Sequence, residues 1–263
     1  MKRIVIKMVS GSFLLLALCC ASSCQKQIRQ NITLAGPVFD LNLNFNAVVD
    51  AVPLEYGKTY YNLFLEPYSV KTFKYYISDL ELLNNDSDKV YKVAVDNYFL
   101  IDESAAATST IAVKAPSNKY DHIAFTIGVD SIRNVSGAQT GALDPGNGMF
   151  WTWNSGYIMA KLEGNSPLST EVDNRIQYHI GGFKAADNVL KKIVLPFPAN
   201  TSLDFAPNAS ATITITANVN AWFNNPNDLH IAQVPVSMTP GDLSQKIAAN
   251  YSKMFSLVNI VNN

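Results

Sequence analysis

His122, His179 and His230 are the chain's three histidines, and none stands at the i, i+2 or i, i+4 spacing from which one element ligates a metal. A metal site built on them has to be assembled by the fold from distant segments. Imidazole suits copper, and His179 sits in the alternating run Ile176-Gln177-Tyr178-His179-Ile180. If Tyr178 and Ile180 face a core, His179 faces outward, as a metal ligand or as a surface histidine. His122 and His230 carry no motif and read as structural. Trp151 and Trp153 stand two apart, so an extended chain puts both on one face. With Tyr157 they could form an oxidisable or sugar-stacking surface, or they could clamp a loop. Asp130, Asp144 and Asn147 offer oxygen donors that suit Ca²⁺, although their spacing is not that of an EF-hand and Asx-turns explain such residues equally well.

Nucleophilic and hydrolytic chemistry finds little support. The chain has no Gly-x-Ser-x-Gly elbow and no His-Glu-x-x-His segment. The adjacent acids Asp102 and Glu103 carry little information in a chain with 21 acidic residues. A non-enzymatic protein is expected. The formal net charge is −1 without a basic block, so nucleic-acid binding lacks its electrostatic footprint.

Cys19, Cys20 and Cys24 are the three cysteines, all near the amino terminus. Lys2, Arg3 and Lys7 precede the apolar run Phe13 to Leu18, the order of a secretory signal peptide. That run is far shorter than the roughly 18–20 residues of a spanning helix. Ala21-Ser22-Ser23-Cys24 resembles a lipobox. We therefore expect cleavage before Cys24 and lipid on Cys24, which anchors a domain to a membrane. Residues 1–23 are then the signal peptide and 24–37 the lipidated tether, with one domain over 38–263. No internal disulfide is available to that domain. The tether resembles those of Bacteroidetes lipoproteins but lacks the acidic run that often marks surface export. The expected location is the cell envelope, at the outer membrane, with the periplasmic face favoured.

The elements that must position these residues are mostly strands. Apolar residues make up 48% of the chain and charged residues 16%, enough for a substantial core. Phe39 to Asn46 and Thr212 to Val219 alternate apolar and polar at nearly every step. Strands also read at 60–65, 73–83, 91–95, 98–101, 110–114, 122–129, 157–162, 176–180 and 189–195. Residues 130–148, rich in Gly, Asn, Ser and Asp, read as a long ordered loop ending in an aromatic cluster. Near the carboxyl terminus Thr239 can cap a helix with Pro240 at its first position, and Leu243, Ile247, Tyr251 and Met254 share one helical face. The pattern predicts an all-β fold: a β-sandwich of about ten strands with a Gly/Asn-rich loop and a short C-terminal helix.

The run from Gly128 through Arg133-Asn134-Val135-Ser136 to Pro145, continuing as Gly148-Met149-Phe150-Trp151-Thr152-Trp153-Asn154-Ser155-Gly156-Tyr157, resembles the MbnP-like family. Phe73 to Asp79 and Tyr178 to Phe183 agree in order. The resemblance implies a β-sandwich in the envelope. In the family's copper-binding branch it implies a copper site made of His and a Trp-derived kynurenine, with a dihaem peroxidase-like partner that makes the modification. His179 matches a family histidine. Arg133 to Ser136 fill the place of another, Asp96 to Asp102 hold no Trp, and the paired cysteines are absent. The resemblance thus implies copper handling through His179. The alternative is an interaction module, for a glycan, peptide or envelope partner, that keeps the fold without the copper site and uses Asp130, Asp144, Trp151, Trp153 and Tyr157 as its surface.

Overall fold

A computed structural model describes residues 37–84, 89–94, 97–152, 156–198, 203–204 and 209–262. The leader, Cys24 and Trp153 lie outside the described residues.

In chain order the elements are β1 (Val38–Val49), β2 (Val52–Pro53), β3 (Thr59–Tyr61), β4 (Pro67–Asn84), β5 (Lys89–Ala94), β6 (Phe99–Asp102) and β7 (Thr110–Pro116). There follow β8 (Lys119–Tyr120), β9 (His122–Ile127), α1 (Ser131–Val135), β10 (Phe150–Trp151), β11 (Gly156–Asn165) and β12 (Arg175–Gly181). The last are β13 (Lys191–Pro196), β14 (Leu203–Asp204), β15 (Ser210–Asn218), β16 (Val236–Ser237), α2 (Asp242–Tyr251) and β17 (Phe255–Asn262).

The strands form the expected all-β sandwich. A 5-stranded sheet runs β17-β15-β1-β2, with β7 also on β1; a 10-stranded sheet runs β13-β9-β4-β11-β12-β16, with β3, β5 and β6 on β4 and β10 on β11. β1 alternates as its sequence dictates, burying Phe39, Leu41, Leu43, Phe45, Ala47 and Val49. Phe45 meets Tyr75 and Phe125 of the opposite sheet edge-on, at 6.3 and 5.6 Å between ring centres. Such contacts tie the two layers into one apolar cluster. Each adds about 1 kcal/mol beyond area burial. The pairing of β1 with β15 is parallel, Asp40 opposite Ser210 through Val48 opposite Asn218.

Several expectations are corrected. The strand expected over 60–65 stops at Tyr61, because the Asn62 side chain accepts from the backbone N–H groups of Phe64 and Glu66 and folds the chain into a turn. The helix starts at Asp242, with Gly241 at its cap and a φ of 141°, so Thr239 and Pro240 precede it rather than open it. Glycine tolerates that backbone angle, and a threonine cap does not need it. The helix is also not the last element: Phe255-Ser256-Leu257-Val258-Asn259-Ile260-Val261-Asn262 adds β17 to the edge of β15. Its alternation is weak because an edge strand buries only one face, and that incompletely.

Candidate functional site

The long loop is ordered by its own side chains. Asp130 caps α1 by accepting from the backbone N–H of Arg133 at 3.0 Å and also holds the Tyr98 hydroxyl. Asp144 accepts from Gly146 N–H at 2.7 Å, and Asn147 donates to the carbonyls of Gly141 and Ala142. Asp144 and Asn147 thus bracket one turn and Asp130 caps another, and among the described residues they are not gathered into a metal-binding group. The residue that staples the loop is Asn134. Its amide donates to Val129 O and Asp130 O at 2.7 and 2.8 Å and accepts from Tyr157 N–H at 2.8 Å. A buried amide so fully used is costly to remove, because its partners would be left without hydrogen bonds in the interior. Nothing in the sequence distinguished Asn134 from its polar neighbours.

Trp151 is not a surface residue. It is only 4% exposed, and its indole lies over Gly181, where a Cβ would come within 2.6 Å of the ring. Tyr157 is buried too, donating to Leu143 O at 2.7 Å and meeting Tyr76 and Phe150 edge-on. Both side chains nonetheless form the floor of an open groove of about 740 Å³. Half-buried Phe150 and Phe183 line its walls, Lys184 and Asp187 stand at one rim, and Thr239 and Pro240 close one end. From α1, Val135 lines the groove as well and is exposed.

His179 points away from the sandwich core, as expected, but is 7% exposed rather than a surface residue. β12 lies in register with β11, placing His179 opposite Lys161, with Lys74 of β4 beyond. Glu163, two residues on, accepts from His179 Nε2 at 2.6 Å and from the Thr72 hydroxyl at 2.9 Å, with Lys161 Nζ at 3.7 Å. The His179 hydrogen bond, aided by Lys161, holds the Glu163 carboxyl at about 2, far below the ordinary carboxylate range. Burial pulls the Lys161 ammonium below its usual value, with Lys74 adding repulsion and Glu163 opposing both. Lys74 itself is paired with Asp102 at 2.7 Å.

This cluster does not fit copper. Copper calls for several imidazole or sulfur donors, and here one imidazole nitrogen is taken by a carboxylate that the Lys161 ammonium also approaches. Among the described residues no group of three or more His, Cys, Asp and Glu side chains could hold a metal ion. His122 lies 2.7 Å from Asp121, and His230 packs on the Phe64 ring at 4.1 Å, so the fold does not gather the three histidines. Sequence reasoning missed Lys161 and Glu163. Their spacing of two does place them on one face of a strand, but only the strand register reveals that this face is His179's.

An all-β sandwich with a self-stapled loop beside an aromatic-floored groove defines the class. Residues 39–240 match the MbnP family model, and the chain belongs to the MbnP family. Among solved structures it is similar to MbnP from Methylosinus trichosporium, at 17% identity over 73% of this chain and 79% of that one, with a TM-score of 0.48. No curated protein matches it.

Proposed function

We propose that this chain is a non-catalytic binding protein of the cell envelope, anchored through lipid on Cys24, whose partner seats in the groove between α1 and the 182–187 turn. The observation that carries this reading is the groove itself: a concave, aromatic-floored surface with exposed Val135 at its edge. Concave apolar sites with a few polar groups at the edge are the usual form of binding sites. Exposed Val135 extends this apolar area to the edge of the groove.

The test is site-directed photo-crosslinking in the native host, with benzoylphenylalanine replacing Val135 or Phe183 and, as a control, Ser256 on the far sheet. Discrete adducts from both groove positions and none from the control are expected. No adduct from either groove position, or the same adducts from all three, would sink the proposal.

Copper handling is the second reading. The carboxylate-held imidazole of His179 favours it and the neighbouring Lys161 opposes it. Metal analysis of the protein after exposure to Cu(I) or Cu(II) and desalting decides the matter: stoichiometric copper lost on His179→Ala revives it, and no retained copper ends it.

A further inference from the structure

A second pocket, of about 510 Å³, opens where β1 ends, at the pole of the sandwich opposite the start of that strand. The β1–β2 turn contributes Asp50, the end of β3 contributes Tyr61, the turn after it Leu65, and the segment after β15 Asn224 and Asn225, with Lys253 beside them.

The foundation of this pocket is rigid. Buried Asn220 accepts from the Tyr68 hydroxyl at 2.7 Å and donates to Asp50 Oδ2 and Tyr61 O at 3.0 and 3.1 Å. Asn218 accepts from the backbone N–H groups of Asp50 and Asn220. Under the neighbouring turn, Asn62 donates to buried Glu66 at 2.7 Å, and Glu66 accepts from Ile231 N–H at 2.9 Å. On this satisfied base the turn projects Tyr61, Leu63 and Leu65, which are 59%, 69% and 78% exposed. Leu65 is held at φ 59°, in the left-handed region, and Asp50 and Asn225 on the same pocket are held at 56° and 59°. A branched side chain adopts that conformation only where its surroundings impose it.

The groups left facing the pocket have a distinct chemistry. Among the described residues, the side chains of Asn224, Asn225 and Lys253 make no hydrogen bond to another side chain or backbone group, although they border a network in which every other amide is used. A primary amide is both donor and acceptor and carries no charge, which matches a hydroxyl. The Asp50 carboxylate can take vicinal hydroxyls, and Lys253 balances its charge, so the pocket selects neither cation nor anion. An apolar occupant would strip water from the amides without replacing its hydrogen bonds. The exposed Tyr61 ring offers a flat apolar face to the C–H side of a pyranose.

We infer that this pole of the molecule binds a neutral saccharide. The inference is independent of the groove proposed above and stands on different residues. It is tested by titrating cellohexaose, maltohexaose, xylohexaose and mannohexaose into the full chain by calorimetry, in a detergent without a sugar headgroup so that none competes. Saturable binding of at least one is expected. Tyr61→Ala should weaken it about tenfold, the loss of roughly one aromatic contact, and Asn224→Ala should weaken it as well. Phe183→Ala, in the groove, should leave it unchanged. Neither residue belongs to the apolar core, so unchanged melting temperatures certify the fold of the variants. The inference is overturned if no oligosaccharide binds at up to about 10 mM, if binding survives both pocket substitutions, or if it is Phe183→Ala that abolishes it.

Discussion

Glu163 gathers an imidazole, an ammonium and a hydroxyl on a strand face from which most water is excluded. Its folded-state value of about 2 lies below the 4.5 it has when unperturbed, so the unfolded chain takes up its proton first as the solution is acidified. The stabilisation from this carboxylate is therefore fully present above about 4.5 and lost as pH falls through about 2. Glu163→Gln should lower the melting temperature near neutrality, and its deficit relative to the parent should shrink steadily across that acid window. A deficit that stays constant with pH would show that packing, not charge, holds the cluster. The same residue illustrates what a sequence hides. His179 was visible as a candidate, but its carboxylate partner lies on another strand, and only the pairing of β11 with β12 reveals that a would-be ligand is already occupied.

At the scale of elements, β4 is the spine of the larger sheet, and its junction with β11 turns on one glycine. The register slips between Glu163 and Gly164, which leaves Lys71 as the extra residue on β4. A Cβ on Gly164 would fall 1.8 Å from Ser69 O, a backbone atom that cannot swing aside. Gly164→Ala should thus cost about 3 kcal/mol, the upper range for overpacking, read as a fall in the denaturant midpoint; a loss below about 1 kcal/mol would mean that the bulge relaxes. The strands themselves were legible wherever one face is buried, as in β1 and β15, because period-two alternation is imposed by burial. It failed where other physics decides. Asn62 halts β3 through its side chain, Gly241 shifts the helix start, and β17 is an edge strand whose outward face keeps Val258 and Val261 exposed. The candidate site was legible in part. The 130–157 segment was marked by composition and does border the groove, whereas Phe183, Lys184 and Pro240 come from elsewhere in the chain and only the fold brings them there.

For the whole molecule, one apolar cluster joins both sheets and α2, including Phe45, Phe125, Trp222, Tyr251 and Phe255. Among the described residues only the small cluster of Leu83, Val90 and Ala124 stands apart from it, too little to form a core of its own, so unfolding in urea should follow one transition. Far-ultraviolet and near-ultraviolet circular dichroism should report coincident midpoints, and a separated aromatic transition would reveal a second cooperative unit. The two candidate binding regions occupy different places on this body. One lies beside the broad sheet and the other at a pole roughly 40 Å along β1 from its first residue, since its 12 residues rise about 3.3 Å each.

The parallel pairing of β1 with β15 has a consequence for how the chain comes into being. A polypeptide emerges from the ribosome with its amino end first, and β1 then waits for a neighbour that is nearly the last strand to be made. Until Ser210 to Asn218 arrive, the smaller sheet is open along one side of its central strand, and β17, the next strand out, has nothing to dock on. Such distant pairing slows folding. The strands of the larger sheet from β3 to β13 are all made before β15, so the smaller sheet is the part of this fold that synthesis completes last.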